Sequence, residues 1–339
     1  MGNKIIIFNP RSANAKHRLP NTIIQVGAAI HGKYDYVFVD GNKETDPWEK
    51  IAGYFATGEY KYFCLTVMPG PQLKQAIPYA RKIKELYPNV INIWGGYFAS
   101  NQHKVCLNSG YVDYIINGPG DNTFPKLLDV LEGKSDEKLM LIRNLIFKNE
   151  EGKIVQTVKE ALLDQDSLPS YPYEYFNTFY PLEDYLAKTF MGRRTFAYHS
   201  SMGCPFSCSF CAVVPIYNAK WKAKAAGTIY KDLKYFKEKY QIDAVEFHDN
   251  NFFTSRKRVM EFSKLVMDDN IEWWGEGRID TINKYSDEEL HYMRKAGCRM
   301  MFLGAETGND EVLKQMNKGG TQSGQMIKDF VKRMKDVDI

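Results

Sequence analysis

The sequence contains no apolar run approaching the roughly 18 residues a membrane-crossing helix needs. Its first residues, Met1-Gly2-Asn3-Lys4-Ile5-Ile6, lack the charged-then-apolar layout of a secretory signal, and Ile6 stands where myristoylation wants Ser or Thr. An excess of one charge is missing too. The 45 basic and 41 acidic residues leave a formal net charge of +4, too balanced to argue for a nucleic-acid partner. Six cysteines in 339 residues, three of them close together, make no disulfide framework. No internal repeat or low-complexity segment interrupts the chain. What remains is ordinary soluble composition, 44% hydrophobic and 25% charged, in a chain long enough for two domains with separate cores. The expected setting is a reducing cytoplasm, with a small-molecule substrate and neither membrane nor nucleic acid as partner.

The informative stretch is Cys204-Pro205-Phe206-Ser207-Cys208-Ser209-Phe210-Cys211. Pro205 fixes φ and lacks an N–H, so it opposes a helix across this point. The run reads as a tight loop whose sulfurs converge. A structural zinc site takes four ligands, usually as two separated pairs. Three thiols in one loop leave a metal centre one ligand short, and on a cubane cluster, normally held by four thiolates, they leave one iron open. The plainer alternatives are a zinc knuckle or three buried cysteines. Cys64, Cys106 and Cys298 lie in apolar or helical surroundings and read as ordinary buried thiols.

The spacing Cys-x3-Cys-x2-Cys, with Phe210 before the third cysteine, resembles the cluster loop of the radical S-adenosylmethionine (SAM) enzymes. That resemblance implies a [4Fe-4S] cluster on Cys204, Cys208 and Cys211, with SAM chelated at the open iron. It implies that one electron passes to the sulfonium, releasing methionine and a 5′-deoxyadenosyl radical. It also implies a one-electron reductant of flavodoxin or ferredoxin type.

Residues 1–133 alternate short β-rich runs with amphipathic ones. Strands are expected at Lys4–Phe8, Tyr36–Asp40, Tyr62–Val67, Val90–Trp94 and Tyr114–Ile116, with helices such as Gln72–Leu86 and Thr123–Glu132 between them. This pattern predicts a parallel sheet covered on both faces. Asn9-Pro10, Met68-Pro69-Gly70-Pro71, Gly95-Gly96 and Gly118-Pro119-Gly120 follow strands directly, at the edge where open α/β sheets bind ligands. β-to-α turns favour Gly and Pro for their own reasons as well.

The series Met68, Gly70 and Gln72, then Gly95 and Gly96, then Gly118 and Gly120 resembles the cobalamin-binding domain ahead of many radical SAM cores. It implies a doubly wound, Rossmann- or flavodoxin-like sheet and cobalamin as a third cofactor. The Asp-x-His-x-x-Gly motif that supplies a lower ligand in other cobalamin proteins is missing. His17, within Ala15-Lys16-His17-Arg18, has neither the Asp nor the Gly of that motif and reads as a loop histidine.

Residues 134–194 read as a connector. Asn144–Lys148 and Lys153–Val158 flank Asn149-Glu150-Glu151-Gly152 as a β-hairpin. Leu168-Pro169-Ser170-Tyr171-Pro172 suits neither helix nor central strand. Its aromatics, Tyr171, Tyr173, Tyr175, Phe176, Phe179, Tyr180 and Tyr185, are expected in interdomain packing, or else lining a cavity between cofactors.

Residues 195–339 alternate again. Strands are expected at Phe196–Ser200, Ala244–His248, Ile271–Gly275 and Met300–Gly304. Helices are expected at Gly227–Tyr240, Arg256–Met267, Asp287–Ala296 and Thr321–Asp336. Polar residues fall just past strand ends, where barrel enzymes carry their sites. The segments 246–252, 277–280, 303–308 and 312–319 resemble the second to fourth strand regions of the radical SAM core and the stretch after them. The resemblance implies Arg278 near the SAM carboxylate, Glu306 near its ribose or amine, and Asp249 as a further cofactor contact. His199, His248 and His291 show no metal-ligand spacing. Only four of the usual six β/α units are visible, so a partial barrel and a truncated chain are expected.

The implied activity is cobalamin-dependent methyl transfer to an unreactive carbon or phosphorus. Its rivals are a radical SAM cyclase or rearrangement enzyme, a methylthiotransferase-like nucleic-acid modifier, and a non-catalytic cobalamin- or metal-sensing protein.

Overall fold

Ile5-Ile6-Ile7-Phe8 is buried at every position, as a strand covered on both faces must be. It lies in β1 (Lys4–Asn9). β2 (Tyr36–Asp40), β3 (Tyr60–Thr66), β4 (Ile91–Gly95) and β5 (Tyr114–Ile116) run parallel to it in the order β2-β1-β3-β4-β5. β2 is laid on one side of β1 and β3 on the other, so the order reverses there. At such a switch point a doubly wound sheet opens a crevice beyond its C-terminal edge. These elements belong to a computed structural model that describes residues 2–13, 17–318 and 322–339. The chain forms two compact units, Met1–Ala161 with Leu168–Asp184 and Leu162–Ser167 with Tyr185–Ile339.

The hairpin expected in the connector is part of the first sheet. β6 (Leu145–Lys148) pairs antiparallel with β5, and β7 (Ile154–Gln156) pairs antiparallel with β6. Leu145, Ile146 and Phe147 are buried, and a hairpin left to itself in water buries too little to be stable. The aromatics of residues 171–180 also fold into the first unit. Phe176 and Phe179 meet the Phe38 ring edge-on at 5.2 and 5.8 Å between centroids, and Tyr175 does the same with Tyr36 at 5.0 Å. The Tyr180 hydroxyl accepts from the Asp40 amide at 2.9 Å and donates to Glu44 at 2.6 Å. These side chains cover β2. Tyr185 belongs to the second unit and is buried.

In the second unit β8 (Thr195–Tyr198), β11 (Ala244–Phe247), β12 (Glu272–Gly277) and β13 (Cys298–Leu303) form a parallel sheet in chain order. Between β8 and β11 the chain makes a small antiparallel pair, β9 (Ser201–Gly203) with β10 (Trp221–Ala223). Helices Ala226–Tyr240, Arg256–Val266 and Asp287–Lys295 separate the strands. The core under the sheet is aromatic: Phe247 stacks on Phe252 at 4.2 Å, and Trp273, buried, donates its indole N–H to Ala296 O at 2.9 Å. The last helix is Gly324–Asp336; its expected start at Thr321 lies outside the described residues.

Candidate active site

The cysteine loop leaves β9 through Gly203, whose φ is +77°. A Cβ there would lie 2.2 Å from Lys220 O, so only glycine fits between the strand pair and the loop. Cys208 is buried, Cys204 and Cys211 half-buried, and all three are free thiols. Residues from after β13 fasten the loop from outside. Ser209 donates its amide to Met316 O at 3.1 Å and its hydroxyl to Gln315 O at 3.0 Å. Asn317 Nδ2 donates to Ser207 O and Oγ at 2.8 and 2.9 Å.

Arg278 closes the loop from beneath. It follows β12, and its Nε and Nη2 form a two-pronged ion pair with Asp280 at 2.9 and 2.7 Å, both side chains buried. Its Nη1 donates to Cys208 Sγ at 2.9 Å, and its guanidinium lies 4.0 Å from the Phe206 ring centroid. Burial works against the Arg278 charge, but Asp280, with help from Cys208 and Cys204, holds its pKa above the ordinary value. The expected neighbour of a SAM carboxylate is thus engaged by Asp280 and a cysteine sulfur.

Glu306 has φ +62° and pairs with Lys318 at 2.6 Å. Lys318 is buried, donates to Gly304 O at 2.9 Å, and sits 5.8 Å from the ring of Phe210, which is 52% exposed. Glu306 and Phe210 therefore meet at one lysine, as a shared site requires. Asp249 is placed differently. It is 0% exposed, accepts from the Ser200 amide at 2.6 Å and from the Ser200 and Ser201 hydroxyls at 2.5 and 2.6 Å, and lies 3.6 Å from Arg258. Its oxygens brace the exit of β8.

One grouping escaped the sequence. Strand register sets Glu246 beside Ala197 and Trp274, and the histidines past β8 and β11 meet, with 5.9 Å between the His199 and His248 centroids. His248 Nε2 lies 3.2 Å from Glu246 Oε2. The His199 pKa is pushed down to about 4 by burial, then by His248 and Lys224, against the pull of Asp249; its Nδ1 is buried without a hydrogen-bond partner. Burial also raises Glu276, with Asp249 adding and His248 opposing. The signal was the parallel pairing, which places residues 49 apart side by side; spacing along the chain does not show it.

The three cysteines suit a cluster. The Cys204 thiol is raised by burial, against a bond to the Phe206 backbone, and Cys208 and Cys211 add to the rise. Among the described residues no three His, Cys, Asp or Glu side chains are gathered as a single ion requires. A cubane takes its thiolates on separate irons and needs no common point. Cys64, Cys106 and Cys298 are buried, and burial pushes all three thiols up, Cys106 to about 11.

The edge of the first sheet divides the other expected contacts. Met68 is 45% exposed, and Gly70, at φ +101°, has open space where a Cβ would point. Gly118 has φ +120°, and a Cβ on Gly120 would make only ordinary contacts. Gly95 is unobstructed, with the nearest atom 4.0 Å away; Gly96 is needed by the fold, since a Cβ would strike Thr66 and Val67 at 2.8 Å. Gln72 is buried, bonding Asn9 Oδ1 at 3.2 Å, Pro10 O at 3.0 Å and the Met68 amide at 2.7 Å, and so ties together the loops after β1 and β3. Two half-buried groups beside the Gly118 loop went unread in the sequence. Lys159 donates to Asn117 O and Oδ1 at 2.8 and 2.7 Å and is pushed down to about 8 by burial, while burial raises Asp121 against its bonds from Gln25.

The model of the radical SAM superfamily matches residues 198–339, the span that holds the cysteine loop, Arg278 and Glu306. Residues 198–339 thus carry a radical SAM domain. The cofactors of that superfamily are SAM and a [4Fe-4S] cluster. The chain is 24% identical over 330 residues to the uncharacterized methyltransferase PH0819 of Pyrococcus horikoshii, covering 94% of this chain and 68% of that protein. It is 25% identical over 244 residues to the anaerobic magnesium-protoporphyrin IX monomethyl ester cyclase of Synechocystis, covering 71% of this chain and 47% of that protein. The fold matches that of the cobalamin-dependent SAM radical enzyme OxsB, solved with aqua-cobalamin, at a TM-score of 0.82 and 17% identity, over 100% of this chain and 48% of OxsB. The chain spans between about half and two thirds of the length of these proteins. No helix among the described residues is long and apolar enough to cross a membrane.

Proposed function

We propose that this radical SAM chain is a cobalamin-dependent methyltransferase acting on an unreactive carbon or phosphorus of a small molecule. The observation that carries the radical half is the trio of free thiols at 204, 208 and 211 on one short loop, with a guanidinium on the middle sulfur. When bound, the cluster supplies one electron and an open iron for SAM, and a corrinoid supplies a carrier for the methyl group. The chain's own residues hold and aim. Cys204, Cys208 and Cys211 grip the cluster, Asn317 and Ser209 fix the loop, and Lys318 keeps Glu306 beside Phe210. Gly70 and Gly95, which leave space beside their backbone, give the first sheet with Met68 and the left-handed Gly118 an edge where a flat macrocycle can approach backbone closely. Likeness in fold to OxsB supports the corrinoid, and likeness to a methyltransferase supports methyl transfer.

A second reading, a radical SAM cyclase, is favoured by the Synechocystis relative. Anaerobic purification and reconstitution test both. Iron–sulfur and corrinoid absorption bands are expected, as is 5′-deoxyadenosine on reduction with SAM present. Cys208→Ala is expected to lose the cluster and at least a hundredfold of SAM cleavage. Product mass with methyl-labelled SAM separates transfer from cyclisation. Zinc in place of iron, or intact SAM cleavage in Cys208→Ala, defeats the radical reading. Corrinoid-free protein defeats only the cobalamin half.

A further inference from the structure

Arg278 and Asp280 form a buried ion pair close to the cysteine loop, and an ion pair out of water is an expensive way to hold a loop together. What the pair achieves is direction. The two-pronged bond to Asp280 fixes one edge of the guanidinium, the Phe206 ring at 4.0 Å fixes its plane, and Nη1 is left pointing at Cys208 Sγ, 2.9 Å away. A lysine has no planar fork and would not be oriented in this way. The Arg–Asp–ring arrangement spans residues 206 to 280 and converges on one sulfur.

We propose that Arg278, aimed by Asp280 and Phe206, raises the reduction potential of the cluster by donating a charged N–H bond to the Cys208 sulfur. A cation at a ligating sulfur stabilises the form carrying the extra electron. Hydrogen bonds to sulfur, net charge and exposure are the quantities that set such potentials. Away from water the effect is larger. The electron itself comes from an external one-electron reductant, and the pair changes how readily it is accepted. Arg278 and Asp280 are positioning residues here. The inference rests on the reading that Cys204, Cys208 and Cys211 hold a cluster.

The test is a mediated redox titration, followed by electron paramagnetic resonance, of anaerobically reconstituted wild type, Arg278→Gln, Arg278→Lys and Asp280→Asn, with iron and sulfide measured in each. SAM affinity is measured separately by equilibrium binding. At a fixed poise near the wild-type midpoint, Arg278→Gln is expected to lower the ratio of reduced to oxidised cluster at least tenfold, about 59 mV for one electron. Asp280→Asn and Arg278→Lys are expected to fall between. Ratios within threefold of wild type in every variant with full iron overturn the inference, as does a change confined to SAM affinity, which would return Arg278 to the SAM carboxylate. If none of the three variants holds a cluster, the pair is scaffolding and the inference fails. A wild type that holds no cluster defeats the earlier reading instead.

Discussion

His199 is kept neutral where an ordinary imidazole would begin to charge. Burial, His248 and Lys224 push it down to about 4, and only Asp249 pulls the other way. In the unfolded chain it takes up its proton near 6.5. Between these values the unfolded state binds a proton that the native state refuses, so stability falls as the pH drops from about 6.5 towards 4. Below that window no further loss comes from this group. The unfolding free energy from urea titrations, followed over pH, is expected to show this slope in wild type, approaching about 1.4 kcal/mol per pH unit, and not in His199→Phe. A parallel pair of curves would place the strain elsewhere. At this scale the sequence was legible where residues close together in the chain act together: Cys204, Cys208 and Cys211 stand out by spacing. It was illegible where folding chooses the partner. Arg278 stood out as a candidate, but its sulfur lies 70 residues away. Asp249 and Gln72 carry polar side chains that look free for a ligand until the serines and loop carbonyls around them are in place.

The segment Gln315–Lys318 acts as a fastener for a loop a hundred residues earlier. Asn317 adopts φ +56°, a conformation asparagine tolerates better than most residues, and from it reaches both oxygens of Ser207. Two variants separate these contributions. Asn317→Gly keeps the backbone and loses the bonds; Asn317→Ala loses both. Chelator is expected to strip iron several-fold faster from either than from wild type. Asn317→Ala is also expected to lose about 1 kcal/mol in urea that Asn317→Gly keeps, since the left-handed conformation costs an alanine roughly that much. Equal iron loss in all three proteins would leave Asn317 as surface decoration. The strands were legible as elements, because buried parallel runs such as Ile5–Phe8 read alike in sequence and in space. Membership was harder to see. β6 and β7 carry a hairpin's pattern but join the first sheet, since only pairing with β5 gives Leu145, Ile146 and Phe147 a place out of water.

Two units with separate cores melt separately when each is linked to a different ligand. Calorimetry of the reconstituted protein is expected to show two transitions. Removing iron with chelator should lower the one that belongs to Tyr185–Ile339, while added hydroxocobalamin should raise the other. A single transition answering both additions would mean that the units unfold as one. Their composition follows an unusual path along the chain: Met1–Ala161 builds the first, Leu162–Ser167 belongs to the second, and Leu168–Asp184 returns to the first. During synthesis β2 therefore emerges long before Tyr175, Phe176 and Phe179, the rings that cover Phe38. A nascent chain halted at the ribosome short of Phe179 would present a bare, greasy strand to whatever chaperone stands at the tunnel mouth.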